Sequence, residues 1–299
     1  MRTLTKSPRW VARSALAIGQ AHLACYAHKY SPKKYTQPQL FACLVLKTFF
    51  GTDYRGLVIL LEDLPDLTQR LGLRLVPHWT TLQKASVRLL RRRRVRRLLR
   101  CTVRRVLGPR RRRLPRAALD STGLDCGHTS FYYIRRRSQR ATAPQPVRYR
   151  RFAKLEAAFD CETHLILGAI PRRGPAVDTD RFVPLLKEAL LNIRITTALA
   201  DAGYDSEANH RYAREQRGVR SIIPAEIGRP SSKPPTGRYR RLMRQRLDKN
   251  YGHYGQRWQA ETGFSMIKRR LGSGLGGRTY QSQCREIMLM VLTFNLMLE

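Results

Sequence analysis

The hydrophobic period of the chain changes at Pro115, and that change constrains the fold more than any other feature of its 299 residues. Before it, apolar residues recur at helical spacing; after it, short apolar runs bounded by polar turns read as strands. Helices are expected over 12–26 and over 37–50, where Pro38 suits a helix start, and after Asp53, which can cap a helix that stops at Pro65. Thr80 or Thr81 can cap the next helix, which runs into the arginine block at 91–100. Beyond Pro115, RAALDSTGL places Asp120 at the end of a strand, and KLEAAFDCETHLILGAIP reads as a hairpin turning at DCET. A helix from Arg181 to Leu191, a strand stopping at Asp201, a turn opened by Gly203 into another helix, and a short strand in RSIIPAE follow. The last segment, QCREIMLMVLTFNLMLE, continues as an apolar helix expected to pack on the sheet and close the domain.

Three strands, a helix, a strand, a helix, a strand and a helix form the element order of the ribonuclease H-like core, in which the first and fourth strands lie side by side. The fold expected is therefore α/β: residues 111–299 as a ribonuclease H-like domain with a mixed sheet flanked by helices, and residues 1–110 as an all-helical DNA-binding region compatible with a helix-turn-helix reader. In that topology Asp120 and Asp201 are neighbours on the sheet.

Charge narrows the partners. The chain has 58 Lys and Arg against 21 Asp and Glu, a formal net charge of +37. Such a surface gains free energy by releasing counterions from a polyanion, which makes nucleic acid the expected partner. A membrane is excluded as partner because the basic residues are spread along the chain, no apolar run approaches the ~20 residues of a span, and the start MRTLTKSPRW has no signal-peptide core. The expected compartment is the cytoplasm, in association with the nucleoid. The arginine runs at 91–100 and 105–113 read equally as phosphate contacts or as a solvated linker. The Pro-, Gly- and Arg-rich stretch 228–246 reads as an extended loop, either holding a DNA end or simply solvated. Six cysteines without framework spacing read as reduced thiols, and His22, Cys25 and His28 read as one helix face rather than a zinc site.

The segment YGQRWQAETGFSMIK, residues 254–268, carries the chemistry. On one helix at ~100° per residue, Tyr254, Arg257, Glu261 and Lys268 fall within about 60° of each other, beside an apolar arc of Ala260, Phe264, Ile267 and Leu271. Trp258 lies off the polar stripe and is expected in the core. The order Tyr, two residues, Arg, three residues, Glu, six residues, Lys resembles the motif around the catalytic glutamate of the IS4 and IS5 groups of DDE transposases. LDST and ADAGYDS match the family's two upstream acidic motifs, so the resemblance covers roughly residues 115–299.

The resemblance implies a transposase that cuts DNA at the terminal inverted repeats of its own element and joins the ends to target DNA by phosphoryl transfer. It implies Asp120, Asp201 and Glu261 as catalytic residues and ligands of two Mg2+ or Mn2+ ions. It implies Tyr254, Arg257 and Lys268 as contacts to the DNA backbone, and a homodimer in the DNA complex. Two other readings stay open: a non-catalytic DNA-binding protein derived from a transposase, and a host nuclease of the same fold. The remaining acids have local roles. Asp205, Asp178 and Asp180 are expected as helix caps, Asp125 as a loop residue, Glu156 on a strand face and Asp160 in a hairpin turn.

Overall fold

Six helices precede the first strand in the computed structural model, which describes residues 4–108, 116–126, 152–174, 176–225, 234–247 and 251–299. They are α1 (Pro8–His22), α2 (Gln37–Phe50), α3 (Tyr54–Asp63), α4 (Pro65–Arg70), α5 (Trp79–Leu89) and α6 (Arg92–Leu107). Local chemistry sets several of their ends. Thr36 and Gln39 form a capping box at α2, whose first turn holds Pro38, and the Asp53 carboxylate accepts the Gly56 amide at 2.7 Å to start α3.

Four expectations for this region are corrected. The first helix begins at Pro8, capped by the Ser7 side chain, and ends at His22 before Leu23 in extended backbone, so Cys25 and His28 leave the face of His22. His78 rather than Thr80 or Thr81 is the N-cap of α5, its ring accepting from the Thr80 amide. That helix stops at Leu89. The arginine block is a separate helix and not a linker: Val95, Leu98, Leu99, Val103 and Val106 of α6 are buried while Arg91, Arg92, Arg93 and Arg97 face solvent. Arg110 to Arg113 lie outside the described residues. All six cysteines are unpaired with one another.

The sheet is built from β1 (Arg116–Cys126), β2 (Phe152–Asp160), β3 (Ile166–Gly174), β4 (Thr197–Ala200) and β5 (Arg220–Ile222), in the order β3-β2-β1-β4-β5. β1 pairs antiparallel with β2 and parallel with β4, so the first and fourth strands are adjacent, as expected from the element order. A two-residue strand β6 (Gly274–Leu275) extends β1 at its far end. β1 is longer than expected: Asp120 lies inside it, and Asp125, expected in a loop, pairs with Gly274.

Among the described residues the sheet is joined by the helices α7 (Phe182–Leu190), α8 (Glu207–Arg211), α9 (Arg238–Arg246), α10 (Gln259–Leu271) and α11 (Tyr280–Met297). α7 packs on β3 and β2, α10 on β1 and β2, and α11 on β3, β2, α2 and α6. α11 buries every residue from Ile287 to Met297 and closes the sheet as expected. Its Asn295 is a clamp. The side chain accepts the Ile166 amide at 2.9 Å, donates to the Ile166 carbonyl at 2.9 Å and donates to Thr102 of α6 at 3.1 Å. Helical region and sheet thus share one buried core. Among the described residues no helix is long and apolar enough to cross a membrane.

The stretch 228–246 is also not a plain loop, since Arg238–Arg246 is helical; residues 228–233 lie outside the described residues. Its helix is held by the segment after β4. Glu207 accepts the Tyr239 and Arg240 amides, and the buried Asp205 pairs with Arg240 at 2.7 Å. Ser206 takes the capping role expected of Asp205. Asp178 and Asp180 likewise cap nothing by their side chains: a 3-10 turn at Thr179–Arg181 leads into α7. Glu156 is fully buried on β2 against Arg172 at 3.3 Å, and Asp160 is the last residue of that strand.

Candidate active site

Register brings the two aspartates together. The parallel pairing of β1 with β4 ends at Leu119 and Ala200; Asp120 is the next residue of β1, and Asp201 the first residue after β4. β4 stops at Ala200 while β1 continues, and the 3-10 stretch Tyr251–Trp258 packs against both strands. The Asp120 carboxylate accepts the Ser121 amide at 2.7 Å, and its side chain is 16% exposed. Burial raises its pKa to about 6 from an ordinary 3.8; the Ser121 amide opposes the rise, Asp201 and Glu261 add to it, and Arg257 opposes it. Asp201 is raised too, by burial first, with Arg257 opposing and Asp178 adding. Its Oδ1 is buried without a hydrogen-bond partner.

Glu261 arrives from the other direction, in the first turn of α10. The packing of that helix depends on Gly263: a Cβ there would stand 2.6 Å from the Phe159 ring, so only glycine lets α10 lie this close to β2. The helix expected over 254–268 begins later, at Gln259. Tyr251–Trp258 is a 3-10 stretch interrupted by Gly252 and His253 at φ 56° and 65°. Gly252 needs that backbone, and a Cβ on it would meet Ile222 at 2.4 Å. The tight turn puts Arg257 between the acids, its guanidinium 2.5 Å from Glu261 and 3.9 Å from Asp120. Tyr254 is half-buried beside Arg257, its hydroxyl pushed above the usual range by burial, with Asp201 and Asp120 adding. Trp258 is 52% exposed and not in the core.

Lys268 stands apart. It is seven residues beyond Glu261, about 10 Å along the helix, and among the described residues it forms no ion pair with the three acids. Two residues not expected at this place are present. Lys154 of β2 pairs with Asp178 at 2.5 Å, and Ser121 donates to Asp178 at 3.3 Å. Thr179 donates to the Gly203 carbonyl at 2.9 Å, tying the Asp178 turn to the loop after Asp201. No local signal marks this group: an aspartate before a helix looks like a cap, and its lysine is distant in sequence.

Among the described residues no three His, Cys, Asp or Glu side chains form a ready metal cage. The Glu261 carboxylate, 58% exposed, is turned to Arg257 instead. The donor chemistry nevertheless fits a hard divalent cation, because the acids offer only oxygen, one of those oxygens is buried and unpartnered, and the Asp120 charge is poorly compensated.

A family model described as the transposase DDE domain matches residues 111–296. No solved structure matches the chain. The matched segment contains the six strands of the described residues, both aspartates and the Glu261 helix, and it covers more than half of the sequence. The chain belongs to the DDE transposase family.

Proposed function

We propose that this transposase cleaves DNA at the terminal inverted repeats of its element and transfers the freed strand ends into target DNA, with Asp120, Asp201 and Glu261 as the catalytic acids. The observation that carries this is the β1–β4 register, which ends one residue short of Asp120 and of Asp201. Two Mg2+ or Mn2+ ions, when bound, would activate the attacking oxygen and stabilise the departing one.

The protein's own contribution is to hold the ligands and the DNA. Asp120, within β1, and Asp201, just after the adjacent β4, supply carboxylate oxygens where burial makes an unneutralised charge costly and a cation welcome. Glu261 supplies the third carboxylate from the exposed start of α10, on release from Arg257. Arg257 then offers its guanidinium to a phosphate, a geometry that guanidinium donors suit. Tyr254 beside it and Lys268 further along α10 complete the backbone contacts, and the helical region 1–110 recognises the element end. Pairing two ends requires two copies, hence a homodimer in the DNA complex. The protein works in the cytoplasm on nucleoid DNA.

The test is cleavage of a plasmid carrying the element ends by wild type and by Glu261→Gln, with Mg2+ or Mn2+. The variant keeps shape and loses one charge. Cutting by wild type alone, with binding by both, supports the assignment; equal binding with no cutting by either would leave a DNA-binding protein without catalysis.

A further inference from the structure

A second concentration of positive charge lies away from the acids. A cavity of about 460 Å3 opens between the start of α6, α7 and the sheet edge at β3, and none of its lining residues belongs to β1, β4 or α10. Four cations line it: Arg92 and Arg96 from successive turns of α6, Lys187 from α7, and Arg217. One carboxylate, Glu188, sits among them with its side chain 11% exposed, bonded to Arg96 and 3.9 Å from Arg92.

Three of the cations are held in place before any partner arrives: Glu188 holds Arg96, and Tyr212 holds the other two. Lys187 and Arg217 both lie against the Tyr212 ring, at 5.2 Å and 5.3 Å from its centroid, and the Arg217 Nε donates to the Tyr212 hydroxyl at 2.7 Å. Tyr212 opens a π turn, Tyr212–Gln216, a wide local winding that recurs at functional sites. At the other wall the 16-residue α6 begins at Arg92 with no side chain capping its first amides, so its positive end adds to the field. Arg92, Arg96 and Arg100 follow one another at four-residue spacing, about 6 Å apart along the helix, and Arg100 reaches the Leu191 carbonyl at the end of α7.

We propose that this pocket is a second contact for duplex DNA, seating a backbone phosphate in the place that the Glu188 carboxylate now takes against Arg96 and Arg92. The row of arginines on α6 continues the contact along the strand. A single carboxylate among four cations is an internal stand-in for a phosphate, with the same charge sign and the same fork of acceptor oxygens. The inference rests on the DNA-acting function proposed above and adds to it a binding face that contains none of the three acids.

The test measures DNA affinity of the full chain against salt for wild type, Glu188→Gln, Arg92→Ala with Lys187→Ala, and Glu62→Gln. Glu62 is exposed on α3 and controls for the loss of one negative charge. Glu188→Gln should bind DNA severalfold tighter than Glu62→Gln. The double variant should bind more weakly, with a salt slope shallower by about 1 for each phosphate it no longer neutralises. Arg92 is 77% exposed, so its removal leaves the core intact. If Glu188→Gln behaves as Glu62→Gln and the double variant keeps the wild-type slope, Glu188 is a structural ion pair and the pocket is no DNA site. Tighter binding of inorganic phosphate by Glu188→Gln with unchanged DNA affinity overturns the duplex as occupant. Loss of all DNA binding in the wild type removes this inference and the proposed function together.

Discussion

Replacing Asp120 by Asn should make the protein more stable while abolishing cleavage. The carboxylate is 16% exposed, and burial with the charges of Asp201 and Glu261 raises its pKa from 3.8 to about 6. Between those two values the folded protein binds more protons than the unfolded chain, so the stability contributed by Asp120 is complete below 3.8 and is lost as pH rises through about 6. Two pKa units correspond to ~3 kcal/mol, the amount by which the ionised carboxylate weakens the fold at neutral pH. Asn keeps the size and can accept the Ser121 amide without the charge.

In chelator near pH 8 the variant should therefore melt ~5 °C above wild type in a chain of this size. The gain should fall to about half near pH 5 and vanish below the unfolded pKa. Adding Mg2+ should raise the wild-type melting point and leave the variant nearly unmoved, by mass action on the folded state. A variant no more stable than wild type near pH 8, or a gain that grows as pH falls, would refute the reasoning.

Three further outcomes are expected. Gly263→Val drives a side chain into the Phe159 ring and displaces α10, so cleavage should drop at least ~100-fold, as expected for a misplaced catalytic group, while DNA-binding assays still detect complex. Asn295→Leu removes both hydrogen bonds that its side chain makes to the buried Ile166 backbone and should cost ~2–4 kcal/mol in urea unfolding; a cost near zero would mean the clamp is not structural. His210 is fully buried, with its Nδ1 2.8 Å from Ser221, and burial chiefly, then Arg214, lowers its pKa from 6.5 to about 4. The unfolded chain protonates first as pH falls, so this contribution is intact above 6.5 and lost toward 4; His210→Gln should flatten that limb of the pH–stability curve by ~3 kcal/mol, measured by denaturant unfolding.

Much of the architecture is local and therefore legible without coordinates. Apolar period distinguishes helix from strand over a few residues, and it alone orders three strands, helix, strand, helix, strand and helix. Asp53 and Pro38 act through neighbours three or fewer residues away, so their roles as cap and helix start could be read directly. The spaced Tyr, Arg, Glu and Lys, with LDST and ADAGYDS upstream, marked the family for the same reason: each motif is a short stretch of chain.

What only the tertiary structure decided is which distant group each polar side chain meets. An aspartate before a helix can cap it or pair with a remote cation, and the short-range pattern is the same; Arg240 claims Asp205 and Lys154 claims Asp178, leaving Ser206 to cap α8. Strand length is decided by partners as well: β1 runs past Asp120 because β2 and β6 continue to pair with it after β4 has stopped. The arginines of α6 gave no sign of a packed helix, since charge dominates their composition, yet burial of Val95, Leu98 and Leu99 on the core settles the backbone. Sequence determined the order of the sheet elements and the family; the long-range pairing that places Arg257 between two acids, and Glu188 among four cations, exists only once the chain has folded.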